Sequence, residues 1–151
     1  MRFDIDTVLL LQKSIQKDGW LDLPSQGYSM YPTIQNGDIC RFVPCSGNQL
    51  KKGDVILFWT ESGQLVAHRY YYSKAKEDGK LQYFCKGDTN TSYDQPIGNE
   101  NILGTLKYID KGNHKVFPNQ LRIHLWGWLI MNQPILTDFL RRYLNRRSIL
   151  L

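Results

Sequence analysis

Ser29 stands in the stretch Gly27-Tyr28-Ser29-Met30-Tyr31-Pro32-Thr33, and Asn36-Gly37-Asp38 follows it. A serine on a turn between a glycine and a proline is well placed to attack a carbonyl carbon. Gly27 lets the backbone approach a substrate, Pro32 stiffens the exit from the turn, and backbone amides of such a turn can donate to an oxyanion. The hydroxyl remains a poor nucleophile until a neighbour takes its proton. On these residues alone the serine reads as an ordinary turn residue, since serine beside glycine is common there. A base has to be supplied from elsewhere in the chain, whose three histidines are His68, His114 and His124.

The elements that must hold this turn are legible from periodicity. Thr7–Trp20 reads as a short helix with Val8, Leu11 and Ile15 on one face, and Gly19 ends it. From Leu21 to about Asp110 the texture changes to β-rich runs: Asp38–Val43, Asp54–Trp59, Leu65–Tyr72, Leu81–Lys86 and Gly104–Ile109. Glycine turns separate them at Asn36-Gly37-Asp38, Lys52-Gly53-Asp54, Ser62-Gly63 and Asp78-Gly79, the last two reading as hairpins. From Gln120 onward the pattern is helical again, with Pro134 dividing two helices or starting the second. The expected architecture is therefore one mainly β domain over 1–151. Helical segments at 1–20 and 120–151 bracket a β-rich core at 21–110.

Three stretches of the chain, taken in order, carry a resemblance. Ser29-Met30-Tyr31-Pro32-Thr33 followed by Gly37-Asp38 and a strand resembles the nucleophile box of the signal peptidase and LexA-like serine peptidases. Lys52-Gly53-Asp54-Val55-Ile56-Leu57-Phe58 resembles their next Gly-Asp segment, and Phe84-Cys85-Lys86-Gly87-Asp88-Thr89-Asn90 with Asp94 their late box. The matches cover about Gly27 to Gly104, roughly half of the chain. Between them, Leu65-Val66-Ala67-His68-Arg69-Tyr70 resembles the Val-x-His-Arg signature of the histidine-type branch, found in endoplasmic-reticulum, archaeal and sporulation-type signal peptidases. There a histidine replaces the lysine base of other members, and imidazole is unprotonated near neutrality without deep desolvation.

The resemblance implies a signal peptidase/LexA-like β fold and a Ser29–His68–Asp94 triad. In the histidine-type branch the acid lies six residues after the Gly-Asp aspartate, which is Asp94; Asp88 is the second choice. With Asn90, Asp88 is otherwise expected to organise its loop by accepting backbone amides. The oxyanion would rest on backbone amides around Gly27, Tyr28, Ser29 and Met30, chiefly that of Ser29, because Gly27 stands where some relatives carry a helping serine. Asp38 and Asp54, after glycines at strand starts, are expected to be structural. His114 and His124 fall outside the matched region. The implied reaction is cleavage of a signal or leader peptide after small residues, with no metal or nucleotide cofactor. Relatives usually have a transmembrane helix just ahead of the nucleophile box, and the residues here are too polar to span. A secretory preprotein and a leader or precursor peptide met away from the bilayer are thus both open as substrates.

Composition narrows the partners. The net charge is +5, which suits an anionic membrane surface or nucleic acid; the resemblance calls for no nucleic acid. After Asp138 there is no acid, while Arg141, Arg142, Arg146 and Arg147 crowd together. With Trp126, Trp128, Leu129, Ile130 and Met131, this C-terminal part (121–147) either lies in a membrane interface or packs on the β domain. No secretory signal and no run of about 18 apolar residues is visible, so the sequence reads as soluble, cytoplasmic or peripheral to a membrane. Cys40, Cys45 and Cys85 have no metal-ligand spacing and read as buried thiols. Two rivals remain. A LexA-like self-cleaving regulator needs a lysine base and a DNA-binding domain, whereas His68 occupies the base position. A catalytically silent module would hold extended peptides in the same cleft by strand addition.

Overall fold

The computed structural model describes residues 3–149. Val55–Trp59 (β3) is apolar at every position, and its alternation divides it between two cores. Val55 and Leu57 join Ile15, Met30, Ile34, Phe42, Leu103 and Ile109 on one face. Ile56 and Phe58 join Tyr70, Tyr83, Cys85, Ile97 and Ile102 on the other. A strand covered on both faces belongs at the centre of a sheet. β3 lies there, antiparallel to Leu65–Ala75 (β4) on one side and Ile102–Asp110 (β6) on the other.

The remaining strands are Leu21–Pro24 (β1), Ile39–Pro44 (β2), Leu81–Lys86 (β5) and Lys115–Val116 (β7). The order across the sheet is β1-β2-β6-β3-β4-β5, with β7 pairing the end of β6, and the described pairings are antiparallel. The fold is thus mainly antiparallel β with helices at both ends. The glycine hairpins fall where expected, with Gly63 and Gly79 at φ 75° and 80°, in the region that favours glycine. The β region extends beyond Asp110, because β7 adds its two residues to the free side of β6. β1 escapes sequence reading because Asp22 and Pro24 interrupt its pattern. Asp22 is accounted for by Arg41 on β2, whose Nε and Nη2 donate to it at 2.7 and 2.6 Å. β4 also outruns its expected end, through a bulge at Tyr71. His68, Arg69, Tyr70 and Tyr71 are buried in succession, so β4 is covered on both faces up to the bulge.

The N-terminal helix is Ile5–Asp18 (α1). Asp4 caps it by accepting from the Thr7 amide at 2.7 Å, and that bond holds the Asp4 carboxyl below its ordinary range. Gly19, at φ 77°, ends it, so Trp20 lies outside. Val8 and Ile15 are the buried residues of its inner face, a contribution of about 1.5–3 kcal/mol for each such side chain.

Leu121–Asn132 (α2) and Pro134–Ile149 (α3) complete the chain, with Pro134 opening the second helix. α2 is divided between a packed side and an exposed side. Trp126, Gly127 and Ile130 pack inward, whereas Leu121, Leu125 and Trp128 are exposed. Among the described residues no helix is long and apolar enough to cross a membrane.

Candidate active site

Ser29 lies in the loop between β1 and β2, and the residues beside it anchor that loop. Met30 and Ile34 enter the first core, and Thr33 is buried with them. Tyr28 faces solvent, so the turn has one greasy foot and one open side. The Gly27 amide is occupied by Asn36 Oδ1 at 3.3 Å, which removes it from the expected oxyanion donors. Its φ of 80° explains why glycine is needed there. Among the described residues, no acceptor is bonded to the amides of Ser29 or Met30.

His68 is fixed by register. It pairs with Ile56 of β3 and so points to the second core, where its ring meets the edge of Phe58 with centroids 6.3 Å apart. It is 7% exposed. Its Nε2 lies 2.9 Å from Ser29 Oγ and its Nδ1 lies 2.6 Å from Asp94 Oδ2. An ionised carboxylate only accepts, so Nδ1 carries the proton and donates to Asp94. Nε2 then accepts from the Ser29 hydroxyl. The sequence separations are 39 and 26 residues, and the fold closes both.

Asp94 is positioned by the loop after β5. Its amide donates to the Cys85 carbonyl at 2.9 Å. Tyr93, next to it, sits in an aromatic box: its ring lies 5.2 Å from Tyr71, 5.7 Å from Tyr72 and 6.5 Å from Phe84, with Lys86 Nζ 5.8 Å over it. The same loop holds the serine turn. The Thr89 amide donates to the Ser29 carbonyl at 3.0 Å and its hydroxyl to the Tyr28 carbonyl at 3.3 Å. Gly87 passes so close that a Cβ there would meet the Ser29 carbonyl oxygen at 2.9 Å.

No family model matches the sequence, and no curated protein matches it either.

Asp88 does something other than organise its loop through backbone amides. It is fully buried and receives both arms of Arg69, Nε at 2.8 Å and Nη2 at 2.7 Å, plus Trp126 Nε1 at 2.9 Å. Arg69 Nη1 also donates to the Gly53 carbonyl at 2.9 Å. The physical reason is strand alternation: Arg69 follows His68 and must point the opposite way. The two acids therefore serve opposite faces of β4, Asp94 with the histidine and Asp88 with the arginine. Asp38 and Asp54, expected to be structural, each lie one residue ahead of their strands and accept from the Gln35 and Lys51 amides at 2.7 and 2.8 Å. His114 and His124 are exposed and away from this cluster.

Sequence reasoning left Thr89, Tyr93 and Arg69 without a role at the site and read Trp126 only as part of the apolar C-terminal stretch. The first three lie within or beside the matched boxes, but nothing in their types announced these contacts. Trp126 lies 38 positions from Asp88 and carries no local signal.

Beside Ser29 and His68 opens a cleft of about 220 Å³ lined by Leu23, Met30, Phe42, Leu57, Leu65 and Ala67 among others, with no Asp, Glu, Lys or Arg in its lining. Its rims are strand edges. β5 pairs with β4 only from Arg69 onward, so Leu65–His68 has a partner on the β3 side alone, and β1 pairs on one side with β2. The thiols near the site are inert at neutral pH. Burial pushes Cys40 up to about 12 and Cys45 up to about 11. Burial, reinforced by nearby Asp94, holds Cys85 higher still.

Proposed function

We propose that this chain is a serine endopeptidase of the signal-peptidase kind, cutting signal or leader peptides after small, uncharged residues. One observation carries the reading: Ser29 Oγ, His68 Nε2 and Asp94 Oδ2 form a continuous hydrogen-bonded relay at the mouth of an apolar cleft. The substrate enters extended and adds to the free edges of Leu65–His68 and β1 by main-chain hydrogen bonds. An uncharged residue suits the cleft because a charge would be desolvated there with no partner.

In the reaction, His68 Nε2 takes the Ser29 proton as Oγ bonds to the peptide carbonyl carbon. Asp94 steadies the imidazolium through Nδ1–H. The carbonyl oxygen becomes the oxyanion and is met by the Ser29 amide, with the Met30 amide beside it. His68 then gives the proton to the leaving amine as the C–N bond breaks. A water, deprotonated by His68, then bonds to the acyl carbon; the bond from that carbon to Ser29 Oγ breaks and His68 returns the proton to Oγ. Incubation of purified protein with signal and leader peptides, followed by mass spectrometry, tests this. Cleavage should appear and be abolished by both Ser29→Ala and His68→Ala. Undiminished cleavage in either variant would sink the mechanism.

A further inference from the structure

The outward stripes of the two C-terminal helices run against the rule that a surface helix turns polar residues to water. On α2, Leu121, Leu125 and Trp128 follow the i, i+4, i+7 spacing and are 80%, 51% and 57% exposed. On α3, Ile135 and Phe139 are 78% and 67% exposed, and at i+7 and i+11 from Ile135 come Arg142 and Arg146, also exposed. Across 121–147 there are five arginines against one acid, Asp138. These helices ride beside the candidate active site. The Tyr143 and Tyr31 rings are 6.3 Å apart, and Arg141 Nη1 donates to Thr91 Oγ1 at 3.3 Å.

We infer that this face docks on an anionic lipid bilayer. The apolar stripe enters the headgroup boundary and the arginines meet lipid phosphates. Exposed tryptophan, phenylalanine and leucine beside arginine is the composition of an interfacial helix, and neither helix is built to span. A second copy of the chain fits poorly, because the centres of protein interfaces are depleted in charge and two such faces would oppose their arginines. The docking places the Ser29 cleft next to the bilayer, where an apolar peptide segment would be presented. It stands apart from the catalytic reading, since lipid binding needs no turnover.

The experiment is co-sedimentation of Ser29→Ala protein with vesicles of phosphatidylcholine alone and of phosphatidylcholine with phosphatidylglycerol. The protein should pellet with the anionic vesicles and far less with the neutral ones, and high salt should weaken the binding. Arg142→Ala with Arg146→Ala should lower the partition coefficient about 25-fold, a factor of about five for each charge near the surface. Trp128→Ser with Phe139→Ser should also release the protein. Both pairs are at exposed positions, and circular dichroism should show an unchanged fold. Equal binding to both vesicle types, binding indifferent to either pair, or no pelleting would overturn the inference. So would a dimer in solution that Trp128→Ser dissociates.

Discussion

Asp88→Ala tests the division of labour between the two acids. The substitution leaves the Arg69 guanidinium, 3% exposed, with only the Gly53 carbonyl as partner, and strips Trp126 Nε1 of its acceptor. Breaking a buried ion pair from one side costs about 3–5 kcal/mol, which in a chain of this size lowers Tm by about 6–20 °C. Arg69→Met in the same protein removes the stranded charge, so Arg69→Met with Asp88→Ala should recover much of the loss. Trp126→Phe keeps the ring and loses one hydrogen bond to a charged acceptor, a cost of about 1.5–3 kcal/mol. Urea unfolding followed by circular dichroism gives each value, and the double-mutant cycle isolates the pair. Asp88→Ala costing under about 1 kcal/mol, or a double variant no better than the singles, would refute the assignment of Asp88 as the buried partner of Arg69.

The other outcomes touch the site more directly. Asp94→Asn should lower kcat on the order of 10⁴-fold while shifting Tm little, since the amide no longer fixes the imidazole tautomer; steady-state kinetics beside a melting curve checks both. Gly87→Ala should lower kcat more than it lowers stability, because its Cβ would push the Ser29 carbonyl from 2.9 Å. Tyr93→Ala should reduce kcat through Asp94 without changing KM, with Tyr93→Phe restoring it, because the box grips the ring and not the hydroxyl. The thiols should resist Ellman's reagent in the native protein at pH 8 and react on unfolding. Their folded values are raised, so both states keep the proton below the ordinary value of 9.0, and above it only the unfolded thiol ionises. The thiols' contribution to stability should therefore be level up to pH 9 and fall between pH 9 and 12, measured as Tm against pH over that alkaline range.

What could be read in advance was whatever has a short sequence period or a fixed local shape. β3 and the two glycine hairpins are of this kind: an unbroken apolar run, and glycines where φ must be positive. β1 could not be read, because a four-residue edge strand containing Asp22 and Pro24 gives no alternation; Leu21 and Leu23 pack against the first core and Asp22 is met by Arg41 on the neighbouring strand. Ser29 was legible as a chemical possibility, and its partners only through the order of the boxes around it. The bulge at Tyr71 was not legible, since nothing in Tyr70-Tyr71-Tyr72 marks which tyrosine is left unpaired.

The pairing of acids with strand faces follows from one further step that sequence alone left open. His68 and Arg69 are consecutive on β4, so their side chains must leave the sheet on opposite sides. Any acid that serves the histidine is thereby unable to serve the arginine without crossing the strand. The loop after β5 resolves this by running past the end of β5 and folding back beside it, where Ile97 pairs with Tyr83. Asp88 leaves β5 two residues after Lys86, opposite Arg69 in the ladder, and is drawn to the guanidinium. Six residues later the chain has turned back, pinned by the Asp94 amide on the Cys85 carbonyl, and presents the second carboxylate on the histidine side. A spacing of this order is what a loop needs to pass from one face to the other. On that geometry the Gly-Asp and the later Asp are two halves of one device: the first bonds the arginine of the strand and the second bonds the histidine beside it. Moving the acid is the consequent test. Asp94→Asn with a new carboxylate at Gln95 should fail to restore turnover, because the exposed position 95 lies beyond the Cys85 anchor; recovery of kcat in that variant would show that the loop crossing is dispensable.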